Sequence, residues 1–207
     1  MLATLHRPDS WDFDSEETYD LIADQYEFEN VIITPSLSSA LRKFAQTLPT
    51  DALVLDAGCG TGRDMNFLES LDVKMEGCDC SSTMLAKAQT RAKGRLFKIN
   101  FAKEKLPSLR YDGAIAIASL VHLNPLELDK SLCNLKEAIK PGGFFLLTMK
   151  RGVGVRWIKE SKYKTPRRFH LYSPYELQIK ISTLGFLIQS ANSDNKWIRL
   201  LLKKPLR

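Results

Sequence analysis

"VLDAGCGTGRD" (residues 54–64) ends an apolar run in a carboxylate, Asp56, and follows it with three glycines at alternate positions, Gly58, Gly60 and Gly62. The run has strand length, and "RDMNFLESL" after the glycines has the spacing of a helix, so the stretch reads as strand, loop, helix. In a doubly wound sheet the ligand lies beyond the carboxyl ends of the strands, where the strand order reverses; this loop is a ligand loop if its strand is central. Glycine there lets backbone N–H groups come close to a ligand with no Cβ in the way. Asp79 closes the next apolar run, 21 residues after Gly58, where a carboxylate can accept hydrogen bonds from both hydroxyls of a ribose. Glycine loop and acidic strand tip together indicate an adenosine-containing cofactor. Dinucleotide sites use G-x-G-x-x-G, with backbone donors aimed at a pyrophosphate. Here the rhythm is G-x-G-x-G behind Asp56, a charge ill placed beside a pyrophosphate but well placed for a cation. S-adenosylmethionine carries a sulfonium and an ammonium and no phosphate.

Outward from the loop, "ALVLDAG", "VKMEGCD", "RLFKIN", "YDGAIAIAS" and "GFFLLTM" are short apolar runs that alternate with helix-like stretches. The helices are "RDMNFLESL", "SSTMLAKAQTRAK" with Ser81 or Ser82 as cap, and "PLELDKSLCNLKEAIK" closed by "PGG". This βαβα order predicts an α/β fold, a mostly parallel sheet with helices on both faces. Two amphipathic stretches, 15–29 and 36–47, precede the first of these strands. After the fifth, 150–166 reads as irregular and "RRFHLYS" as a short strand. A helix follows with Ser173 as cap and Pro174 in its first position. "FLIQSA" and "KWIRLLLKK", separated by "NSDN", read as a terminal hairpin.

The chain has 207 residues, 44% hydrophobic and 26% charged, the balance of one ordinary globular domain. It is expected to be a single unit over 1–207, with 1–50 as a helical lid and 150–172 as a basic, substrate-side insertion. No apolar run approaches the roughly 20 residues that span a bilayer, and the first residues lack an export signal, so a cytoplasmic protein is expected. Cys59, Cys78, Cys80 and Cys133 form neither a disulfide framework nor zinc-ligand spacing, and no metal is expected. The net charge of +6 is unevenly spread. Residues 1–30 hold one arginine against nine acids, and 150–170 hold eight cations against Glu160. The basic segment suits an anionic substrate or RNA, or serves to pair with the acidic N-terminus.

On these residues the chain resembles the class I S-adenosylmethionine-dependent methyltransferases, with a UbiE-like motif order, over about residues 17–205. "TYDLIADQYEF" is similar to the cofactor lid and "VLDAGCGTGRD" to the first motif. "GCDCSSTMLAKAQ", "YDGAIAIASLVHLN" and "LKEAIKPGGFFLLTMK" are similar to the motifs that follow. The resemblance implies a seven-stranded sheet in the order 3-2-1-4-5-7-6 with strand 7 antiparallel. It implies that Asp56 organises the loop and the methionine ammonium, and that Gly58, Cys59, Gly60 and Gly62 shape it. Asp79 would bind the ribose, Cys80 and Met84 would flank the adenine, and Ala118 and Ser119 would border the methionine. Tyr19 and Tyr26 would close the pocket. The family's acidic adenine contact after strand three is replaced by Asn100 and Phe101, where the Asn100 carbonyl is the expected acceptor.

Methyl transfer is a displacement in which proximity and orientation do much of the work. Where a base is needed, His122 in "SLVHLN" is the first candidate and Tyr172 a second. Arg63, Arg168 and His170 are candidates for holding the acceptor. A small-molecule acceptor is the favoured reading; the aromatic and basic residues of 150–170 suit a flat anionic small molecule or an RNA base and phosphates. RNA bound through 150–170 and cofactor binding without catalysis are the alternatives.

Overall fold

The structure is a computed structural model that describes residues 3–5, 14–159, 163 and 165–206. In chain order its elements are β1 (Ala3–Leu5), α1 (Ser15–Glu29), α2 (Pro35–Ala45), β2 (Leu53–Ala57), α3 (Arg63–Glu69) and β3 (Lys74–Asp79). Then come α4 (Ser82–Gln89), β4 (Arg95–Lys98), β5 (Tyr111–Ile117), α5 (Pro125–Ala138) and β6 (Ile139–Lys150). The chain finishes with β7 (Gly154–Lys159), β8 (Arg167–Leu171), α6 (Pro174–Thr183), β9 (Leu187–Ser193) and β10 (Trp197–Lys203).

Seven strands form one sheet in the order β4-β3-β2-β5-β6-β10-β9. The β2, β3, β4, β5 and β6 pairings are parallel, and β10 runs antiparallel to both β6 and β9. This is the expected 3-2-1-4-5-7-6 topology, and it puts the glycine loop at the central reversal between β2 and β5. Val54, Leu55, Asp56 and Ala57 are all buried, as a strand covered on both faces requires. On one side of the sheet Leu55, Phe145 and Leu200 join α5 and α6 in a common core; on the other Val54, Ile115 and Leu146 meet α2 and α3.

The helix starts follow their caps. Ser81 accepts from the Met84 N–H at the head of α4. Asn124 with Glu127, and Ser173 with Glu176, form capping boxes, each followed by a proline. Two local expectations give way. The "PGG" segment lies inside β6, which starts directly at Ile139 after α5 ends at Ala138. The segment expected to be irregular contains β7, which pairs antiparallel with β1 and β8 in a separate three-stranded sheet. Its partner β1 lies some 150 residues away, so the local pattern carries little of the signal.

The acidic N-terminal helix meets basic partners. Among the described residues, Glu27 pairs with Lys87 and Arg91, Asp24 with Lys87, and Glu16 with Lys98. These cations belong to α4, the stretch just after it and β4, so these pairs fasten α1 across the strand tips, while the Asn30 amide donates to the Tyr163 hydroxyl at 3.1 Å and Arg167 hydrogen-bonds Tyr19, which ties α1 to 150–170 as well. No helix among the described residues is long and apolar enough to cross a membrane.

Candidate functional site

The loop after β2 folds back on the end of β3, with the N–H groups of Gly58 and Cys59 donating to the Cys78 carbonyl at 2.8 and 2.9 Å. Gly58 has φ +78°, and a Cβ there would lie 2.3 Å from Ser119 Cβ. Gly60 has φ +52°, and a Cβ there would meet nothing within 4 Å, because that edge of the loop faces open space. The Gly60 N–H donates to Asp79 Oδ2 and the Ser81 N–H to Asp79 Oδ1, both at 2.9 Å. These backbone donors, with Cys80 beside them, orient the carboxylate at the edge of the space beside Gly60. Burial raises the Asp79 carboxyl above its ordinary range. Ala118, at the tip of β5, takes φ +56°, a strained conformation of the kind that collects at functional sites. Its N–H donates to Thr148 Oγ1 at 2.8 Å.

These elements enclose a first cavity of about 110 Å³. Tyr19 and Tyr26 of α1 roof it. Gly58, Gly60, Asp79, Cys80 and Met84 line one side, and Asn100, Phe101, Ala118, Ser119 and His122 the other. Ser15, Ile99, Ala102, Ile117 and Leu123 also line it and escaped the sequence reading. Ile99 and Ile117 are apolar residues at strand ends, each one position before a residue that was singled out. Asp56, Cys59 and Gly62 do not line this cavity. Asp56 is 2% exposed, and its Oδ2 has no hydrogen-bond partner among the described residues. Burial, with Asp64 and Asp79 nearby, pushes its carboxyl well up. Gly62 caps α3 and packs on Ala88. Cys59 is a buried thiol, pushed well up by desolvation.

Two expected details are corrected. The Asn100 side-chain carbonyl, the expected adenine acceptor, accepts from the Ala102 N–H at 3.2 Å, and its backbone carbonyl accepts from the N–H groups of Lys103 and Glu104, both at 2.8 Å. The tight turn at 100–104 thus engages both carbonyls within the chain. Nor does His122 present a ring nitrogen to an acceptor. Its Nδ1 lies 2.5 Å from the Arg168 carbonyl, which can only accept, so Nδ1 carries the proton and Nε2 accepts from the Tyr19 hydroxyl at 2.7 Å. Burial holds the imidazole pKa down to about 3, so the ring is neutral. Arg167 also hydrogen-bonds the Tyr19 side chain, whose phenol burial pushes up.

A second cavity, of about 340 Å³, adjoins the first; Tyr19, Tyr26, Ile117 and Ala118 line both. Arg63 faces this second space and not the first. It also braces the end of α1 by donating to the Asn30 carbonyl at 3.1 Å, while Nε and a terminal nitrogen grip Asp64. Arg168, His170 and Tyr172 line neither cavity, whereas Arg167 and Phe169 line the second. Side chains alternate along a strand, and the expected residues stand on the opposite face of β8. The Tyr172 hydroxyl is buried with no hydrogen-bond partner among the described residues. Thr148, Lys150, Trp197 and Arg199, which also line the second cavity, had no signal beyond lying in apolar or basic runs.

The residues of the first cavity fit an adenosyl sulfonium. Asp79 is held by two backbone donors at its edge and Gly60 leaves room for close approach; behind the loop, outside the lining, the buried Asp56 Oδ2 has no hydrogen-bond partner among the described residues. Residues 54–143 match the family model described as methyltransferase domain. The chain is 26% identical over 198 residues to a carboxy-S-adenosyl-L-methionine synthase of Campylobacter concisus, covering 91% of this chain and 83% of that one. It is 30% identical over 135 residues to a tRNA (carboxymethyluridine(34)-5-O)-methyltransferase of Arabidopsis thaliana, covering 63% of this chain and spanning only 31% of that protein. In fold it is similar to the CcbJ methyltransferase from Streptomyces caelestis, with a TM-score of 0.77 at 20% identity over 93% of this chain and 100% of that one. Glycine loop, strand order and family match agree: residues 54–143 carry a methyltransferase domain, set in a chain whose fold and relatives are those of S-adenosylmethionine-dependent enzymes.

Proposed function

We propose that the chain transfers the methyl group of S-adenosylmethionine to a small-molecule acceptor seated in the second cavity. The observation that carries this reading is the junction of the two cavities at Tyr19, Tyr26, Ile117 and Ala118. When bound, the cofactor supplies an electrophilic methyl carbon. The chain's own part is to orient and to exclude water. Asp79 holds the adenosyl side, α1 covers the cleft, and Ala118 turns the β5 tip aside where the cavities meet. The Tyr19 hydroxyl proton is committed to His122, so at the junction Tyr19 Oη acts as an acceptor. His122 serves as a positioning residue for Tyr19 rather than as the base itself.

Two other readings have specific support. The tRNA methyltransferase relative, together with exposed Arg151, Arg156 and Lys159, favours an RNA acceptor. The carboxy-S-adenosyl-L-methionine synthase relative favours a reaction on the cofactor itself. Incubation with methyl-labelled S-adenosylmethionine and fractionated cell extract separates them. Label in the small-molecule fraction is expected. Label in RNA, or label retained on a cofactor that has gained a carboxyl group, would replace this reading.

A further inference from the structure

Strand register sets Thr148 beside the point where the two cavities meet. Thr148 of β6 stands next to Ile117 of β5 on one side and opposite Arg199 of β10 on the other. Opposed residues, and residues two apart on a strand, share a face, so the Thr148 side chain rises with those of Lys150, Trp197 and Arg199 toward the second cavity, which all four line. Thr148 is 3% exposed, and its Oγ1 accepts from the Ala118 N–H at 2.8 Å. A hydroxyl donates as well as accepts, and the Thr148 hydroxyl proton meets no acceptor among the described residues. A buried donor left unmade is costly; this one faces a space that a ligand can fill.

The charges on the same lining are engaged within the chain. Arg63 pairs with Asp64 and donates to the Asn30 carbonyl, and Arg199 pairs with Asp194 and donates to the Ser36 hydroxyl. Lys150 lies over the rings of Phe169 and Trp197, Arg167 lies over that of Tyr163, and Glu29 accepts from Gln25; all three have further interactions in the chain. Neutral groups are therefore left to meet a ligand. Besides Thr148, the Tyr26 hydroxyl of the lid makes no hydrogen bond among the described residues, and the charged groups that act on its phenol, Arg63, Asp64 and Arg167, stand on the second cavity or directly behind it. Ile117, Val121, Phe169 and Trp197 add apolar and aromatic wall, which packs a flat ring well. A space of about 340 Å³ suits a single ring system.

We propose that the second cavity selects a neutral, flat compound through a carbonyl oxygen that accepts from the Thr148 hydroxyl beside Ala118. That this compound is also the methyl acceptor rests on the methyl-transfer reading; the binding site rests on Thr148 and the cavity. The test is an NMR-detected titration of the chain saturated with S-adenosylhomocysteine. Acetophenone, 1-indanone and 1-tetralone are each compared with ethylbenzene, indane and tetralin, their counterparts without the carbonyl, and with benzoate as a charged ring. At least one ketone is expected to bind about threefold or more tighter than its hydrocarbon and than benzoate, a ratio that one neutral hydrogen bond supplies. Thr148→Val and Thr148→Ala should abolish that preference, and Thr148→Ser should keep it. A role confined to supporting Ala118 would weaken ketone and hydrocarbon alike and leave the ratio unmoved. The proposal is overturned if no ketone outbinds its hydrocarbon while S-adenosylhomocysteine binds, if the preference survives in Thr148→Val or Thr148→Ala, or if benzoate is the tighter ligand. The methyl-transfer reading fails differently, by label in RNA or on a carboxylated cofactor despite ketone-selective binding.

Discussion

His122 and Asp56 are both buried ionisable groups, and their effects on stability run in opposite directions with pH. The unfolded imidazole titrates near 6.5, whereas the folded one is held down to about 3. Between those values the unfolded chain binds more protons, so stability contributed by neutral His122 is present above pH 6.5 and is lost as pH falls. The limiting slope for one proton is about 1.4 kcal/mol per pH unit. Urea unfolding at intervals from pH 4 to 7 should show a shallower acid loss in His122→Asn than in the wild type; equal slopes would mean that the imidazole titrates normally. Asp56 behaves conversely, because its folded carboxyl is pushed up by burial beside Asp64 and Asp79. The folded state binds the proton more tightly, and stability falls as pH rises from the ordinary carboxylate range toward the folded value. Asp56→Asn is expected to raise the melting temperature of the ligand-free protein near pH 8, at about 2–4 °C per kcal/mol gained in a domain of this size, while weakening S-adenosylhomocysteine binding. A variant that loses both stability and affinity would show that Asp56 is paired in the fold. The places of Asp79, Gly58 and Gly60 on the first cavity were legible from sequence because glycine rhythm and a strand end fix them, whereas Met84, inside α4, came only from the family resemblance. The engagement of the Asn100 carbonyls was not legible, since it depends on how tightly the turn at 100–104 closes.

At the scale of the element, α1 is held by contacts spaced along one of its faces. Asp20 Oδ1 accepts from the Ser81 hydroxyl at 2.5 Å and from the Thr83 N–H at 3.1 Å, so the lid docks on the N-terminus of α4, where the helix dipole favours negative charge. The Ser81 hydroxyl and the Lys98 amine near Asp20 keep its carboxyl low against the opposing cost of burial. Glu27 bridges Lys87 and Arg91 further along, and Tyr19 reaches His122. Asp20→Ala removes a charged acceptor from two donors, a loss of about 1–3 kcal/mol of docking free energy. The expected result is a roughly tenfold rise in the S-adenosylhomocysteine dissociation constant, with tryptic cleavage within α1 becoming faster. Unchanged cleavage and affinity would detach Asp20 from the lid. The helix itself was readable over 15–29, because its amphipathic pattern is local. Its pairing with α4 and β4 was not, since composition shows an excess of acid at one end of the chain and of base near the other but gives no sign of Lys87 and Lys98 as partners. The β8 face was misjudged for a related reason. Arg167, Arg168, Phe169 and His170 are adjacent in sequence, and composition alone leaves open which alternate set faces the cavity.

At the scale of the whole molecule, the charge is divided between an inside and an outside. The acids of α1 are met by α4 and β4, while Arg63, Arg167 and Arg199 are sequestered beneath the lid and Arg151, Arg156 and Lys159 stand exposed. Salt screens exposed charges separated by more than a Debye length, about 10 Å at 0.1 M, and screens buried ones much less. A net charge of +6 is enough for weak, sequence-independent attraction to nucleic acid, whose affinity falls by orders of magnitude between 50 and 200 mM salt when several phosphates are contacted. Binding of a neutral compound in the inner cavity should change far less over the same range. Titrating the protein with bulk transfer RNA and with 1-indanone at 50, 100 and 200 mM salt therefore separates the outer cations from the inner cavity. The transfer RNA isotherm is expected to collapse, and the 1-indanone constant to move by no more than about threefold. The triple variant Arg151→Ala, Arg156→Ala, Lys159→Ala should abolish the first and spare the second. Transfer RNA binding that survives both 200 mM salt and the triple variant would instead place a nucleic acid in contact with the inner cations, and the acceptor would then be sought in RNA.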